Sequence, residues 1–188
     1  MINVPNALTL FRIVLVPFFI LASMRSMWTL AFALFVTAAV TDIFDGLIAR
    51  RFNQRSRLGA ILDPAADKTM MVCGYFFYTV TDKLPLVGLP SWLTFVVFAR
   101  DFLIICFAYL LYTRVHVKRF PPSWAGKTST VLQAVTLATV IAVNAFLPRL
   151  LPFAEILFRV ALVVTLSSSW DYLRRGRRLL DEGFARAA

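Results

Sequence analysis

Charge is scarce in this 188-residue chain. Asp, Glu, Lys and Arg together make up 16% of it, against 60% apolar residues and a mean hydropathy of +0.75. A soluble domain carries roughly 25% charged and about 45–50% apolar residues, so an ordinary soluble enzyme, a disordered tail and a coiled coil are excluded. Seven Gly and nine Pro, scattered without a period, exclude a collagenous or low-complexity chain. Cysteine occurs only twice, as Cys73 and Cys106 inside apolar stretches. Two such cysteines make neither a disulfide framework nor a metal site and are read as core residues. The one histidine, His116, sits in a polar loop without a positioned partner and is not a candidate base. No basic residue precedes Arg12 and no small-residue cleavage site follows the first apolar run, so no removable signal peptide is expected.

Long apolar runs are what the chain has instead. About 20 apolar residues cross a bilayer as a helix, and six runs can be marked: Leu8–Ala22, Trp28–Ile48, Ala60–Thr81, Leu89–Tyr112, Thr128–Leu147 and Phe153–Ser167. The expected fold is therefore an all-α integral membrane protein, a single domain over residues 1–188 built as a bundle of six transmembrane helices. Trp28, Trp92, Trp124 and Trp170 fall near span ends, where aromatic belts form.

The formal net charge is +10. A nucleic-acid surface would explain it, but the basic residues fall between apolar runs, as the positive-inside rule requires. The segments 50–57, 114–127 and 174–186 hold four, four and five Lys or Arg, 13 of the 20, while the alternate loops hold only Arg25, Lys83 and Arg149. Both termini are thereby expected in the cytoplasm, with membrane lipids and not nucleic acid as the large-scale partner. The basic tail can attract anionic headgroups by about 1 kcal/mol per charge.

Acidic residues are rarer still, and four of the ten lie within 26 residues: Asp42, Asp45, Asp63 and Asp67. Spacings of three and four put each pair on one helix face. One pair closes the second run, the other opens the third, and a short basic turn joins them. Four carboxylates at a membrane boundary need cations. Arg50, Arg55, Arg57 and Lys68 could serve as ion-pair partners; the alternative is divalent metal, because hard cations take carboxylate oxygens and substrate phosphates together. Gly46, Ala49 and Gly59 are small residues in the same register, which suits close approach of a ligand. A cation-coupled transporter also needs intramembrane carboxylates, but near the midplane and at a repeat interface; no internal repeat is evident here.

Asp42 to Asp67 reads D-x₂-D-G-x₂-A-R-x₈-G-x₃-D-x₃-D. In this the chain resembles the CDP-alcohol phosphatidyltransferase family, without a gap across eight fixed positions. Asn3 to Arg12 is similar to the N-terminus of the family's phosphatidylglycerol-forming branch, and Gly126 to Gln133 to its later Lys…Thr…Gln segment. The resemblance implies a six-helix membrane enzyme, often a homodimer, with its active site facing the cytoplasm of a bacterial inner membrane. It implies displacement of CMP from CDP-diacylglycerol by an acceptor hydroxyl with two divalent ions, Mg²⁺ or Mn²⁺. Carried over by position, Asp42, Asp45, Asp63 and Asp67 would hold metal and Asp67 would act as general base. Asp42, Gly46, Ala49, Arg50, Gly59, Asn6 and Thr9 would bind the CDP moiety, with Arg12 near the nucleotide end.

The acceptor is less plainly marked. Glycerol-3-phosphate, giving phosphatidylglycerophosphate, wants convergent cations, and Arg100, Lys127 and Arg114 are the candidates. The glycerophosphate branch is expected to show Arg-Glu and a second Arg eight positions on; here stand Arg100-Asp101 and Ala108. Asn53 to Gly59 and Arg100-Asp101 are also similar to the cardiolipin synthases of the family, whose acceptor is phosphatidylglycerol. Glycerol-3-phosphate is the preferred reading. Arg100-Asp101 could equally be a buried ion pair with no ligand.

Overall fold

The computed structural model describes residues 4–51, 59–115 and 124–187, with side chains over 9–42, 68–107, 109–110, 113 and 124–178. All its regular structure is helical among the described residues: α1 (Val4–Met24), α2 (Trp28–Arg51), α3 (Gly59–Val80), α4 (Ser91–Val115), α5 (Trp124–Ala145), a 3₁₀ turn (Pro148–Leu150) and α6 (Leu151–Ala187). Each apolar run is thus one helix. Trp28 and Trp124 are the first residues of α2 and α5, and Trp92 the second of α4.

The helices expose large apolar side chains and bury several polar ones within an otherwise apolar core. Phe11, Val14, Phe18, Phe95, Phe102, Ile105 and Val163 are exposed, whereas Thr9, Arg12, Arg100, Ser129, Gln133, Thr136 and Ser168 are buried. Water would not tolerate so many exposed large apolar side chains on one monomer; lipid does, and it forces polar groups to find partners inside. The segments Trp124–Ala145 and Pro148–Arg178 are long and apolar enough to cross a membrane.

The chain divides into two compact units. The first comprises residues 1–89 and 137–152, the second 90–136 and 153–188. In the first unit α1 packs against both α2 and α3. Phe19 is fully buried and lies 5.9 Å from the Phe35 ring and 6.2 Å from the Tyr78 ring, the latter stacked. Ser23 Oγ donates to the Phe19 carbonyl (2.9 Å) and lies 3.1 Å from the Tyr78 hydroxyl, so the buried phenol has a polar partner. Gly74 brings α3 close to Leu137. A Cβ there would stand 2.6 Å from Leu137 Cδ2.

Asn144 clasps the middle of the connection after α3. Asn144 Nδ2 donates to the carbonyls of Val87 (2.7 Å) and Val140 (2.8 Å), while its Oδ1 accepts from the backbone amides of Leu86 (3.0 Å) and Val87 (3.3 Å). Asn144 is buried, and its amide is saturated in both directions. Asn144→Leu strands two amides and a carbonyl, so we expect a loss of about 1–3 kcal/mol in stability, read as a lowered thermal midpoint in detergent.

In the second unit α6 continues well past the expected span end at Ser167, reaching Ala187. Apolarity ends there but helix propensity does not: Leu and Arg are good helix formers, and the Arg175 guanidinium donates to Asp171 Oδ1 one turn back (3.0 Å). Asp171 therefore pairs along its own helix. Cys73 and Cys106 are free thiols, only half-buried rather than core.

Candidate active site

The signature begins where α1 meets α2. Arg12 lies in the middle of an apolar helix and is 4% exposed at its side chain, yet its guanidinium donates to Asp42 Oδ1 in a salt bridge. A buried guanidinium needs a carboxylate or several carbonyls to offset its desolvation, and Asp42 lies 30 residues on in the neighbouring helix. Asp42 itself is 48% exposed. Arg12 therefore orients the carboxylate without enclosing it. Thr9, one turn before Arg12, is fully buried.

The remaining signature positions are placed as backbone. Asp45, Gly46, Ala49 and Arg50 continue α2, and Gly59, Asp63 and Asp67 lie in the first turns of α3. The side chains of these residues and of Asn6 and Arg114 lie outside the described residues, as do His116 and Lys118. Because both α2 and α3 pack against α1, one helix braces the two that carry the four aspartates. Of the four aspartates only Asp42 has a described side chain, oriented by Arg12 and about half exposed; by residue type, four carboxylates are the donor chemistry that hard divalent cations take. The residues present fit such ions.

The second unit holds the other candidates. Arg100 on α4 is 5% exposed, and its Nη1 donates to Asp101 Oδ1 at 2.7 Å. Its Nη2 donates to the Gly126 carbonyl of α5 and to Ser168 Oγ of α6, each at 3.3 Å. The guanidinium carbon also lies 5.7 Å from the centre of the Tyr172 ring, within cation–π range. One guanidinium thus ties three helices. The adjacent pair Arg100-Asp101 was visible in the sequence; the reach to Gly126 and Ser168 was not, since nothing local marks a carbonyl or hydroxyl 26 or 68 residues away.

Lys127 follows Gly126 directly, and its exposed side chain lies with Nζ 5.2 Å from the Trp124 ring centre. Below it Ser129, Gln133 and Thr165 form a buried polar cluster. Gln133 Nε2 donates to Ser129 Oγ (3.1 Å) and to Thr165 Oγ1 (3.3 Å), and the two hydroxyls lie 3.2 Å apart. The segment singled out for its Lys…Thr…Gln pattern is therefore half surface and half register lock. Lys127 alone among its polar members presents a charge outward.

Comparison with known proteins identifies the family. Residues 2–167 match the CDP-alcohol phosphatidyltransferase family. The chain is 38% identical over 186 residues to the CDP-diacylglycerol–glycerol-3-phosphate 3-phosphatidyltransferase of Escherichia coli (strain K12), covering 96% of this chain and 98% of that protein. The protein of the same name from Shigella flexneri serotype 5b (strain 8401) is 37% identical over 184 residues, with the same coverage. With the signature intact and the match running through nearly every helix, the chain belongs to the CDP-alcohol phosphatidyltransferase family.

Proposed function

We propose that this protein transfers the phosphatidyl group of CDP-diacylglycerol to glycerol-3-phosphate, releasing CMP and forming phosphatidylglycerophosphate. The observation that carries this is the 38% identity, over 96% of the chain, to the E. coli enzyme named for that reaction. On this reading residues 1–188 act as one catalytic domain, as a homodimer, in a bacterial inner membrane. Six spans leave both termini and the active site on the cytoplasmic side, supported by the alternation of basic loops.

The roles follow from residue chemistry. Asp42, Asp45, Asp63 and Asp67 would hold two divalent ions, Mg²⁺ or Mn²⁺, which when bound supply charge neutralisation for the diphosphate. Arg12 keeps the Asp42 carboxylate in one orientation. Gly46, Ala49 and Gly59 leave room for the CDP moiety at the backbone, with Arg50, Asn6 and Thr9 as polar contacts. Asp67 accepts the proton of the acceptor hydroxyl as it attacks the phosphorus, because an alcohol is a poor nucleophile near neutral pH. Lys127, Arg114 and Arg100 supply positive charge for the acceptor phosphate. Arg100 does so from a buried position that also fixes the start of α5, and hence Lys127.

The test is CMP release by purified protein in detergent with CDP-diacylglycerol and Mg²⁺ or Mn²⁺. Glycerol-3-phosphate and phosphatidylglycerol are offered separately. Release is expected with glycerol-3-phosphate, none with phosphatidylglycerol, and none in either case after EDTA. Release only with phosphatidylglycerol would replace the proposal by a cardiolipin synthase; EDTA-resistant release would remove the metals.

A further inference from the structure

A groove in the second unit is used by none of this. It has a volume of about 280 Å³ and is lined by Phe107 of α4 and by Trp170, Leu173, Arg174 and Arg177 of α6. Trp170, Arg174 and Arg177 follow one another at spacings of four and three, so they share one helix face. Residue 176, next to this face, is glycine. A Cβ there would stand 2.5 Å from Phe107 Cδ1, and the α6 backbone meets the ring directly. The wall is almost wholly apolar, with Arg174 and Arg177 among its lining residues, and the Arg174 guanidinium lies 5.0 Å from the centre of the exposed Trp170 ring.

Neither Arg174 nor Arg177 has a carboxylate partner among the described residues; Asp171, one turn before Arg174, is taken by Arg175, and the side chain of Asp181, one turn beyond Arg177, lies outside the described residues. The groove lies at the polar end of the apolar segment Pro148–Arg178. An apolar slot, a Trp and two arginines with no carboxylate partner among the described residues, at a membrane boundary, make a set of complementary groups for one class of molecule. Guanidinium forks bind phosphate oxygens in bidentate fashion, and the slot takes methylenes. Specific ligand pockets run from about 300 Å³ upward, so this one seats a segment of acyl chain while the rest of the molecule stays in the bilayer.

We propose that this groove is a binding site for an anionic glycerophospholipid, with one acyl chain against Phe107 and Leu173 and the headgroup phosphate on Arg174 and Arg177. It goes beyond the catalytic reading and does not depend on it. Diffuse attraction of a basic tail would make all four arginines equivalent. A built site makes Arg174 and Arg177 differ from Arg175 and Arg178.

The experiment uses delipidated full-length protein in neutral detergent, titrated with dioleoyl-phosphatidylserine or dioleoyl-phosphatidylcholine and read by native mass spectrometry. Phosphatidylserine is anionic and is neither substrate nor product of the proposed reaction. It is expected to bind at least about tenfold more tightly than phosphatidylcholine, and R174Q/R177Q to weaken it about tenfold. The control pair R175Q/R178Q removes the same charge and is expected to weaken it less than about twofold. Phe107→Trp, which fills the slot and keeps every charge, is expected to weaken it about tenfold by excluding two or three methylenes. Equal losses in the two double variants, equal binding of the two lipids, or an unaffected Phe107→Trp would each overturn the proposal. So would a dimer that R174Q/R177Q dissociates while phosphatidylserine binding stays unchanged, which would give the groove to a second copy of the chain. If R174Q/R177Q does not fold, Phe107→Trp and the lipid comparison decide.

Discussion

Asp67→Asn is expected to lower CMP release by about 10²–10⁴-fold, the usual contribution of a positioned general base, while leaving the protein folded. The amide is nearly isosteric with the carboxylate but cannot take a proton from the acceptor hydroxyl. If Asp67 serves as base, the deficit falls in kcat and the KM for CDP-diacylglycerol changes little. If instead it serves mainly as a metal ligand, raising Mg²⁺ or Mn²⁺ recovers most of the rate. Unchanged turnover would take Asp67 out of the mechanism altogether. Helicity by circular dichroism and the thermal midpoint in detergent separate these outcomes from misfolding.

The largest stability effect is expected at Arg100. Arg100→Met removes a guanidinium that is 5% exposed and leaves Asp101, 17% exposed, without that counter-charge. It also withdraws the donors serving the Gly126 carbonyl and Ser168 Oγ. Breaking a buried pair from one side costs about 3–5 kcal/mol, whereas replacing both partners by apolar groups is often neutral. The thermal midpoint of Arg100→Met should therefore fall sharply, and Arg100→Met/Asp101→Leu should recover much of the loss. A small effect of the single substitution would show that the clamp on three helices is dispensable. Arg100→Lys keeps the charge and tests the other proposed role. A KM for glycerol-3-phosphate raised more than that for CDP-diacylglycerol supports charge directed at the acceptor phosphate.

Much of this molecule can be read along one strand of letters, and the reason is periodicity. Six apolar runs became six helices, since a backbone flanked by apolar side chains must satisfy its own hydrogen bonds, and two of the helices are long and apolar enough to cross a membrane. Helix ends were another matter. The expectation that the sixth span closes at Ser167 follows hydropathy, but α6 runs to Ala187 because Leu, Arg and the Asp171–Arg175 pair support helix in water too. In the same way α5 begins at Trp124, four residues before its apolar run. The four aspartates are marked in the sequence by two spacings within 26 residues, and the backbone carries them on α2 and α3. The partner of Arg12 is not marked. Its guanidinium reaches Asp42 across a helix pair, and a tertiary ion pair over 30 residues leaves no local trace. Asn144 escaped notice for the same reason: a lone polar residue near the end of an apolar run looks like an interruption, and only its contacts show it to be a clasp on residues 86 and 87.

The contact between Gly74 and Leu137 ties two distant positions into one choice of size. With a Cβ at 74 meeting Leu137 Cδ2 at 2.6 Å, a methyl at 74 is tolerated only if the leucine swings to another rotamer or gives way to a smaller residue. A larger residue at 74 therefore either displaces the Leu137 side chain or calls for a slighter residue at 137. A conservative change at either position is conservative only with respect to its partner.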